Sequence, residues 1–409
     1  MSSTDTDTDT NTDTEEISDS SDENMDNLNN IDLTCNIIKH YNVIYELGRG
    51  SFSIVWLVYN ILNNNFYALK VQNPDEYKDG LCEIKFVQKL PKNPNVFNNI
   101  VEYFIEEIDK QKFLCSVWEL HCTNIDSLLR KGPFTNGFDY DSAINIMKQL
   151  VLSIKILHEK YSVFHGDIKT DNILVKGINN KDKFIMNKYK EANFPDTFKK
   201  AKDAMGDNLK IKVKNSIRKS IHKSISLKIM EDLKCTDIDN NNIDNKYLNN
   251  ISISLADFGT HCEKHNYYEE SFGTRYYQAP EIILMGKCAF PVDMWALGCT
   301  FYELVSGRLL FDPIKDSSHS RDYYHLALIC DTCGYFPETF LKETKYYKNY
   351  FHKKKLIDYS SPSVNRLDSK ISELNLTIEQ KTQMKSILSG LLTIDPKKRW
   401  TINTLQKIL

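Results

Sequence analysis

The chain lacks long apolar runs and has almost no excess of charge of either sign. No stretch of its 409 residues reaches the roughly eighteen apolar residues that a membrane-spanning helix needs. Its 52 basic and 55 acidic residues leave a formal charge of -3, so no overall field draws it to nucleic acid or to an anionic membrane. The first residues are acidic and show no apolar segment behind a basic start. We therefore expect an intracellular protein, cytoplasmic and open to nuclear entry, that binds neither membranes nor nucleic acid directly.

Paired metal-binding motifs are also missing. The ten cysteines are scattered along a chain too long to need disulfides, which is typical of reduced thiols. Cys330 and Cys333 form a CxxC pair, which is compatible with a redox site or with half of a zinc site, but no second CxxC or HxxxH accompanies it. Because the pair closes the apolar run from Leu326 to Ile329, we expect both thiols to be structural.

Residues 1–33 contain few apolar side chains and consist mainly of Thr, Asp, Ser, Glu and Asn. A segment of this composition cannot bury a core, so we predict a disordered acidic tail. Ser18, Ser20 and Ser21 lie among acids, and both a solubilising tail and a set of phosphorylation sites fit the pattern.

Hydrophobic periodicity divides the rest of the chain into a β-rich part and a helical part. From Tyr41 to Val71, short apolar segments separated by turn residues predict a three-stranded antiparallel meander. Helical periodicity is clearest from Ala143 to His158. We therefore predict an α+β fold with two lobes, a small β-rich lobe at 41–120 with one main helix and a larger, mainly helical lobe at 121–409. The further elements predicted for the small lobe are a helix around 82–90 and strands near 100–106 and 113–118.

A segment rich in Lys, Asn and Asp interrupts the helical lobe at 177–250, and we interpret it as an insertion. Within it Ile217, Ile221 and Ile225 are spaced four apart in a basic stretch, which predicts a basic amphipathic helix. Two interpretations are open. The helix either packs loosely on the lobe or is a nuclear-targeting or partner-binding element, with Arg218-Lys219 and His222-Lys223 on one face.

A glycine-containing turn joins the first two predicted strands. Its glycines let backbone amides approach a polyphosphate closely, although turns of this kind are common. The segment lacks the Gly-Lys-Ser/Thr ending of a P-loop and has strands on both sides, which argues against P-loop and Rossmann sites. The candidate nucleotide-binding residues of this turn are Leu47, Gly48, Arg49, Gly50, Ser51, Phe52, Ser53, Ile54 and Val55.

A lysine and a glutamate follow the turn at a useful spacing. Lys70 closes the apolar strand that begins at Tyr67, where it can reach back to the α- and β-phosphates of a nucleotide. A surface lysine at a strand end is the alternative. Glu83, on the predicted helix, offers the carboxylate that holds an ammonium at a buried site.

The densest cluster of chemically capable residues is the segment from His165 to Asn172, which leads into an apolar strand. Asp167 can orient a substrate hydroxyl and accept its proton, and Lys169 can neutralise charge on a transferring phosphoryl group. Asn172 offers an amide oxygen to Mg²⁺, which needs a second, harder ligand. Asp257, followed by Phe258 and Gly259, supplies that carboxylate at the end of an apolar strand.

Read in order, these motifs resemble the eukaryotic protein kinase superfamily from about Tyr41 to Leu409, apart from the insertion. Further matching segments follow Asp257. They are Gly273-Thr274, Ala279-Pro280-Glu281, Asp293-Met294-Trp295 with Gly298, and Arg399.

The resemblance implies a two-lobed kinase fold with ATP and Mg²⁺ as cofactors. Asp167 is then the catalytic base, Lys70 pairs with Glu83 and the phosphates, and Asn172 and Asp257 hold the metal. The adenine lies against a hinge at Trp118 to His121, bonded by the backbone of Glu119 and His121, with Trp118 as gatekeeper. Glu281 and Arg399 form a structural ion pair.

The position of two residues indicates the substrate class. Lys169 and Thr274 stand where serine/threonine kinases carry these residues, so the resemblance implies protein substrates phosphorylated on Ser or Thr. A pseudokinase scaffold or binding protein is the alternative, but the residues whose loss would mark one are all present. A small-molecule kinase is a third interpretation, which the intact Ala279-Pro280-Glu281 segment disfavours.

Within the superfamily the chain is most similar to the SR-protein kinases of the CMGC group, which phosphorylate Arg/Ser-rich proteins. The matching residues are Ser53, Val55-Trp56-Leu57, Cys82-Glu83-Ile84-Lys85, Ser320-Arg321-Asp322 and His325 to Ile329. That family also carries a long insertion before the metal-binding aspartate. The resemblance implies a monomer with Arg/Ser-rich substrates.

Three positions depart from the pattern of the SR-protein kinases or of kinases in general. Gly166 replaces the arginine that most kinases use to bind an activation-loop phosphate, so we expect activity without that phosphorylation. Gln278 replaces an arginine, which predicts a reorganised substrate-facing loop. In the acidic docking groove Asp331 matches a family acid, but Tyr324 occupies another acidic position.

Overall fold

The amino-terminal lobe is built on one antiparallel sheet of six strands. The computed structural model describes residues 31–50, 52–93, 95–108, 110–206, 209–236, 238, 243–263, 271–359 and 366–409. The predicted acidic tail, apart from residues 31–33, lies outside these ranges. Alternation of side chains along the strands buries Val43, Trp56 and Leu69 in a core on one face of the sheet.

The strands outside this sheet have only two or three residues each. The bounds of all strands in the described part of the chain follow. They are β1 Ile37–Ile38, β2 Tyr41–Arg49, β3 Ser53–Asn60, β4 Asn65–Gln72, β5 Ile100–Ile108, β6 Gln111–Trp118, β7 Thr123–Asn124, β8 Val163–Phe164, β9 Ile173–Val175, β10 Ile253–Leu255, β11 Cys262–Glu263, β12 Phe351–His352 and β13 Lys355–Leu356. The six strands of the amino-terminal sheet follow the order β1-β2-β3-β4-β6-β5. Strands β2, β3 and β4 confirm the predicted meander.

The helices account for most of the remaining described residues. They are α1 Tyr77–Val87, α2 Ile125–Arg130, α3 Tyr140–Lys155, α4 Asn180–Glu191, α5 Phe194–Ala204, α6 Ile211–Lys234, α7 Asn245–Leu248, α8 Pro280–Ile283, α9 Pro291–Ser306, α10 Arg321–Cys333, α11 Glu338–Leu341, α12 Tyr347–Tyr350, α13 Arg366–Ser372, α14 Ile378–Leu391 and α15 Ile402–Ile408. The two-lobed α+β fold expected from the sequence is confirmed.

Helix α1 is displaced towards the amino terminus from the predicted range of 82–90. A short 3-10 turn at Pro74–Glu76 leads directly into it. At the other end Pro91 disfavours helical backbone at Leu90, and residues 88–90 form a turn instead. The shift matters because α1 carries Glu83 and contacts strands β5 and β6.

The helical lobe is organised around α9, which is buried along almost its whole length. A helix that is apolar on all sides belongs in the centre of a lobe, and α3, α14 and the 3-10 turn at Arg275–Tyr277 pack against it. Cys330 and Cys333 lie at the end of α10, where burial raises the pKa of both thiols to about 12. Such thiols are unreactive, and no cluster of three metal-ligating side chains occurs in the described part of the chain, so the structural interpretation of this pair is supported.

Two small sheets carry the loops between the lobes. Strand β9 pairs with β7 and β10, and β8 pairs with β11. The segment 165–172 therefore leaves β8 and enters β9, while Asp257 lies two residues after the end of β10. Because β9 and β10 are antiparallel neighbours, the start of β9 and the end of β10 lie at the same edge.

The predicted insertion is helical and packs on the sheet of the amino-terminal lobe. Helices α4, α5 and α6 contribute Ile185, Phe194 and Ile229 to a second core with Leu57 and Phe66 of the sheet. This placement was not predicted. Among the described residues no helix is long and apolar enough to cross a membrane.

The face of α6 that meets the sheet also differs from the predicted one. Arg218 and His222 are buried, whereas Ile221 and Ile225 are only partly buried. The nuclear-targeting or partner-binding interpretation grouped Arg218-Lys219 and His222-Lys223 on one face. In the structure the side chains of Arg218 and His222 bond to β2 and to the segment before it, so these two are not presented to a partner.

Candidate active site

A cavity of about 590 Å³ lies between the sheet of the amino-terminal lobe and the helical lobe. Of the residues proposed from the glycine turn, Leu47, Gly48 and Val55 line it. Their backbone positions at the end of β2 and the start of β3 place the turn over the cavity, as a nucleotide-binding turn requires.

The other residues of this turn lie elsewhere. The Arg49 guanidinium pairs with Glu46 at 2.6 Å, and Phe52 is 62% exposed at the tip. The amide of Gly50 donates to the carbonyl of Ser53 at 2.9 Å, which closes the turn. Ile54 is buried in the sheet core, and Ser51 lies outside the described residues.

The ammonium of Lys70 meets the carboxylate of Glu83 inside the cavity, with Nζ 2.9 Å from Oε2. The other oxygen of Glu83 accepts a hydrogen bond from the amide of Phe258 at 3.2 Å. Burial lowers the pKa of Lys70, but Glu83 and Asp257 outweigh it and the pKa is raised. Lys70 therefore stays charged and can bind phosphate.

The segment Asp257-Phe258 turns sharply after β10. Asp257 has φ of 63°, in the left-handed region, and its side chain is exposed towards the cavity that it lines. Phe258 points the opposite way and is buried against Phe86, Phe97 and His165, with ring centroids 5.7, 5.8 and 5.1 Å away. A strained backbone is retained where the surroundings fix it, and here it separates a carboxylate that faces the cavity from a core aromatic ring.

The carboxylate of Asp167 is held from two sides. Oδ1 accepts from the amide of Thr274 at 2.7 Å, and Oδ2 lies 2.9 Å from the ammonium of Lys169. Burial raises the pKa of Asp167, but Lys169 and the hydrogen bonds from Thr274 outweigh it, so the pKa is lowered. The carboxylate is thus ionised at neutral pH and can accept a hydrogen bond from a substrate hydroxyl.

Two neighbours complete this group. Nζ of Lys169 also donates to Oγ1 of Thr274 at 2.7 Å, which ties the ammonium to the segment that follows Gly273. Nδ2 of Asn172 donates to the carbonyl of Asp167 at 2.8 Å. Because the side-chain nitrogen of Asn172 makes this bond, its amide oxygen remains available as a ligand atom. Oxygen is the ligand type that a magnesium ion prefers.

Asp293 supports the catalytic loop, a role that the sequence analysis did not assign. Its carboxylate accepts hydrogen bonds from the amides of His165 at 2.8 Å and Gly166 at 2.9 Å. It also lies 2.8 Å from Nε2 of His158. The sequence analysis noted Asp293-Met294-Trp295 as a kinase-like segment. Only the structure shows that the carboxylate of Asp293 bonds to the amides of the catalytic loop.

Gly166 is a position that no side chain fits. Its φ is +82°, and a Cβ atom there would lie 2.7 Å from the carbonyl oxygen of Thr260. The loss of arginine at this position therefore accompanies a tight approach of the two loops. The expectation that activity does not depend on an activation-loop phosphate stays a prediction.

The hinge residues proposed for adenine line the same cavity. They include Trp118, Glu119 and His121. Nε1 of Trp118 donates to Oγ of Ser116 at 2.8 Å, which fixes the indole at the back of the site. Burial lowers the pKa of His121 to about 4, so its ring is neutral, and Nε2 lies 3.1 Å from Oγ of Ser254.

Two contacts outside the cavity concern residues that the sequence analysis singled out. Arg399 and Glu281 form the expected buried pair, with two bonds of 2.7 and 2.9 Å. Nε2 of Gln278 donates to Oγ of Ser271 and to the carbonyl of Phe272, both at 2.9 Å. The side-chain amide of Gln278 therefore holds residues 271–273, the segment that precedes Thr274.

The comparisons with known proteins agree with this geometry. A family model described as a protein kinase domain matches residues 41–187 and 205–408. A putative serine/threonine-protein kinase, L205, of Acanthamoeba polyphaga mimivirus is 26% identical over 90% of this chain and 86% of its own length. A serine/threonine-protein kinase SRPK of Physarum polycephalum is 26% identical over 88% of this chain and 83% of its own length. Protein kinase dsk1 of Schizosaccharomyces pombe is 22% identical over 88% and 78%.

The family match covers the catalytic loop, the hinge and the segment around Asp257, and nothing in the relatives supports the pseudokinase alternative. The chain belongs to the protein kinase family, and it is an ATP-dependent serine/threonine kinase similar to the SR-protein kinases.

Proposed function

We propose that this kinase uses Mg²⁺-ATP to phosphorylate Ser and Thr in Arg/Ser-rich protein segments. The observation that carries the proposal is a pair of carboxylates, Asp126 and Asp171, beside the catalytic loop. Desolvation and the nearby charge of Asp126 raise the pKa of Asp171. A guanidinium from a substrate would relieve this repulsion between like charges.

The two carboxylates differ in how they are neutralised. Asp126 lies 3.2 Å from Nε of Arg130, whereas Asp171 is exposed and forms no ion pair among the described residues. Asp171 is therefore the acid that has capacity for an incoming arginine. It follows the catalytic Asp167 and Lys169 closely in the chain, so a basic side chain bound there would lie near the reacting hydroxyl.

The docking acid suggested by the resemblance is used internally. Asp331 is buried and lies 2.7 Å from Nη1 of Arg366. It also accepts a hydrogen bond from the hydroxyl of Tyr359. The support for a basic substrate therefore comes from Asp171 rather than from Asp331.

The metal assignment rests on the donor set. The amide oxygen of Asn172 and the exposed carboxylate of Asp257 are hard oxygen ligands, which suit Mg²⁺. A magnesium ion bound there would supply charge neutralisation to the phosphates of ATP. Lys70 would hold the same phosphates, while Asp167 orients the hydroxyl and Lys169 faces the transferred group.

A degenerate peptide library with labelled ATP and Mg²⁺ tests the substrate class. We expect incorporation into Ser and Thr with selection for Arg beside the acceptor, and no incorporation when the metal is chelated. Transfer to Ser or Thr without selection for Arg would contradict the Arg/Ser assignment and leave the kinase activity standing. Full activity in the presence of chelator would contradict the metal assignment.

A single substitution tests the contribution of Asp171 to the recognition of arginine in the substrate. Asp171→Asn should raise KM for an Arg/Ser peptide about tenfold and leave KM for a neutral Ser peptide unchanged. Asp368→Asn is the matched control, because Asp368 pairs with Lys385 on the surface of the helical lobe at 2.8 Å. Equal effects of Asp171→Asn on KM for both peptides would show that Asp171 does not contribute to the selection for arginine.

A further inference from the structure

The insertion reaches the nucleotide cavity. Asn179, Lys181 and Asp182, at the start of α4, belong to the lining of the same cavity as Lys70 and the hinge. None of them was singled out by the sequence analysis. The site that the rest of the kinase domain builds is therefore extended by a segment from the insertion.

A chain of hydrogen bonds holds this segment across the edge of the cavity. The hydroxyl of Tyr45, on β2, donates to Oδ1 of Asp182. Nδ2 of Asn179 donates to Oδ2 of Asp182 at 2.8 Å and to the carbonyl of Cys122, next to the hinge, at 3.1 Å. The amide of Asp182 returns a bond of 2.7 Å to Oδ1 of Asn179. The segment is thus fixed to the strand before the glycine turn and to the hinge at once.

Lys181 is the one side chain of this group that keeps its charge free for a ligand. Its ammonium lies 4.2 Å from the centroid of the Tyr45 ring. Both oxygens of Asp182 already accept hydrogen bonds, and within the described part of the chain Lys181 takes part in no ion pair.

The setting of this ammonium is unfavourable without a ligand. Burial lowers the pKa of Lys181, and the carboxylate of Asp182 only partly opposes the change. A cation in the first turn of a helix is also disfavoured by the helix dipole. An anionic ligand in the cavity would offset both costs.

We propose that Lys181 is a nucleotide-binding residue that donates a hydrogen bond to the sugar–phosphate part of ATP. Tyr45 and Asp182 are positioning residues that hold it at the rim. This rests on the use of ATP by the kinase. With the adenine at the hinge and the phosphates at Lys70, an ammonium that lies against the Tyr45 ring and lines the same cavity would meet the part of the nucleotide between them.

The insertion then sets nucleotide affinity as well as covering the sheet. Lys181→Met should raise both KM for ATP and Kd for ADP about three- to tenfold, the effect of one hydrogen bond, with kcat at saturating ATP unchanged. Lys183→Met is the matched control, because Lys183 lies on the same helix, is exposed and is not part of the cavity lining. Thermal unfolding of both variants checks that the fold is intact.

The binding of fragments locates the contact. Loss of affinity for ADP with unchanged affinity for adenosine places Lys181 at the phosphates, and loss for both places it at the ribose. Either result supports the proposal. Equal KM and Kd in Lys181→Met and Lys183→Met would overturn it.

Tyr45→Phe tests the positioning residues. It should raise KM for ATP in the same direction with kcat preserved, and it should add little to Lys181→Met in the double variant. A fall in kcat with unchanged KM would overturn the positioning role. If the wild-type protein bound no ATP, the kinase function itself would fail, whereas normal transfer by the wild type with unaffected variants would remove only this inference.

Discussion

Asp167, Lys70 and their partners are each held by bonds to a charged group or a backbone amide. Thr274 and Lys169 bond the two oxygens of Asp167, and Glu83 holds Lys70. Because these bonds form in the chain alone, the charged groups need little rearrangement when substrate binds. Such preorganisation is the main source of electrostatic stabilisation of a transition state.

Lys70 is expected to act on the phosphates of the nucleotide. Lys70→Met should lower kcat/KM about 100-fold or more. Because it leaves the buried carboxylate of Glu83 without its partner, it should also lower the melting temperature, while the protein stays folded at the assay temperature. Lys112→Met, at an exposed position on β6, is the control and should retain activity. Steady-state phosphorylation of a Ser peptide and thermal unfolding give the two readouts. Wild-type activity in Lys70→Met would contradict the phosphate assignment.

Gly166 is expected to be intolerant of any side chain. Gly166→Ala forces a Cβ atom to within 2.7 Å of the Thr260 carbonyl oxygen at a positive φ. Gly334→Ala shares the positive φ of +93° but has open space around it, so it measures the backbone strain alone, about 1–3 kcal/mol. Urea unfolding should show a larger loss for Gly166→Ala, and equal losses would show that the two loops are not in tight contact.

The catalytic group should also be active without phosphate on the chain. Protein treated with a phosphatase, and shown by mass spectrometry to be unphosphorylated, should retain most of its initial rate. The reason is that Gly166 offers no guanidinium to bind such a phosphate, while the Thr274 amide and Lys169 hold the carboxylate of Asp167. A rate that falls about tenfold or more on treatment, and recovers on incubation with ATP, would contradict this expectation.

At the scale of elements, helix α6 is joined to β2 by a buried polar network. Nε2 of His222 donates to the carbonyl of Val43 at 2.7 Å. Its Nδ1 accepts from the hydroxyl of Tyr189 at 3.0 Å, which in turn accepts from Nδ2 of Asn42 at 2.7 Å. Nε of Arg218 donates to Oδ1 of the same asparagine at 2.8 Å. Buried hydrogen-bond networks of this kind favour one arrangement of the elements that they join.

This network makes the packing of α6 sensitive to acid. Burial lowers the pKa of His222 to about 4, and the nearby charge of Arg218 acts in the same direction. Because an unfolded histidine titrates near 6.5, the stabilisation is complete above about pH 6.5 and is lost as the pH falls towards 4. The loss between pH 7 and pH 5 should be about 2 kcal/mol.

Urea unfolding at the two pH values measures this. The difference in unfolding free energy between the wild type and His222→Gln should shrink from pH 7 to pH 5. His352→Gln, at an exposed position, should show no such change. The comparison of variants is needed because burial also lowers the pKa values of His121 and His325. A difference that does not depend on pH would contradict the account of His222.

The pair between Glu281 and Arg399 joins α8 to the segment before α15. Both side chains are buried, so Arg399→Met should lower the free energy of unfolding by about 3–5 kcal/mol by leaving the carboxylate unpaired. Lys385→Met breaks the exposed pair with Asp368 and should cost less than about 1 kcal/mol. Similar losses in the two variants, measured by urea unfolding, would show that burial does not govern the strength of these pairs.

At the scale of the whole molecule, the parts that follow from local pattern were predictable. The meander of β2, β3 and β4 comes from alternating apolar residues, and the α+β division follows from the change to helical periodicity. Asp167, Lys169, Asn172 and Asp257 stand in short motifs at the ends of strands, where sequence order indicates their chemistry directly.

The packing of the insertion was not predictable from the same reasoning. The spacing of Ile221 and Ile225 marks an apolar stripe on α6, yet Arg218 and His222 are more deeply buried because Asn42, Tyr189 and the Val43 carbonyl bond to them. Those partners lie far away in the chain. The contribution of Lys181 to the nucleotide cavity could not be predicted for the same reason. Its neighbour Asp182 bonds to Tyr45, which is distant in the sequence and comes close only when the insertion folds against the sheet.

The central claim is that Asp167 is the carboxylate that serves phosphoryl transfer to a hydroxyl. The most direct measurement is the rate of phosphate incorporation from labelled ATP into a Ser peptide by the wild type and by Asp167→Asn. The substitution removes the charge with almost no change of shape, so it should lower kcat about 100-fold or more while ADP affinity and thermal stability stay near the wild-type values. Wild-type kcat in Asp167→Asn would contradict the account.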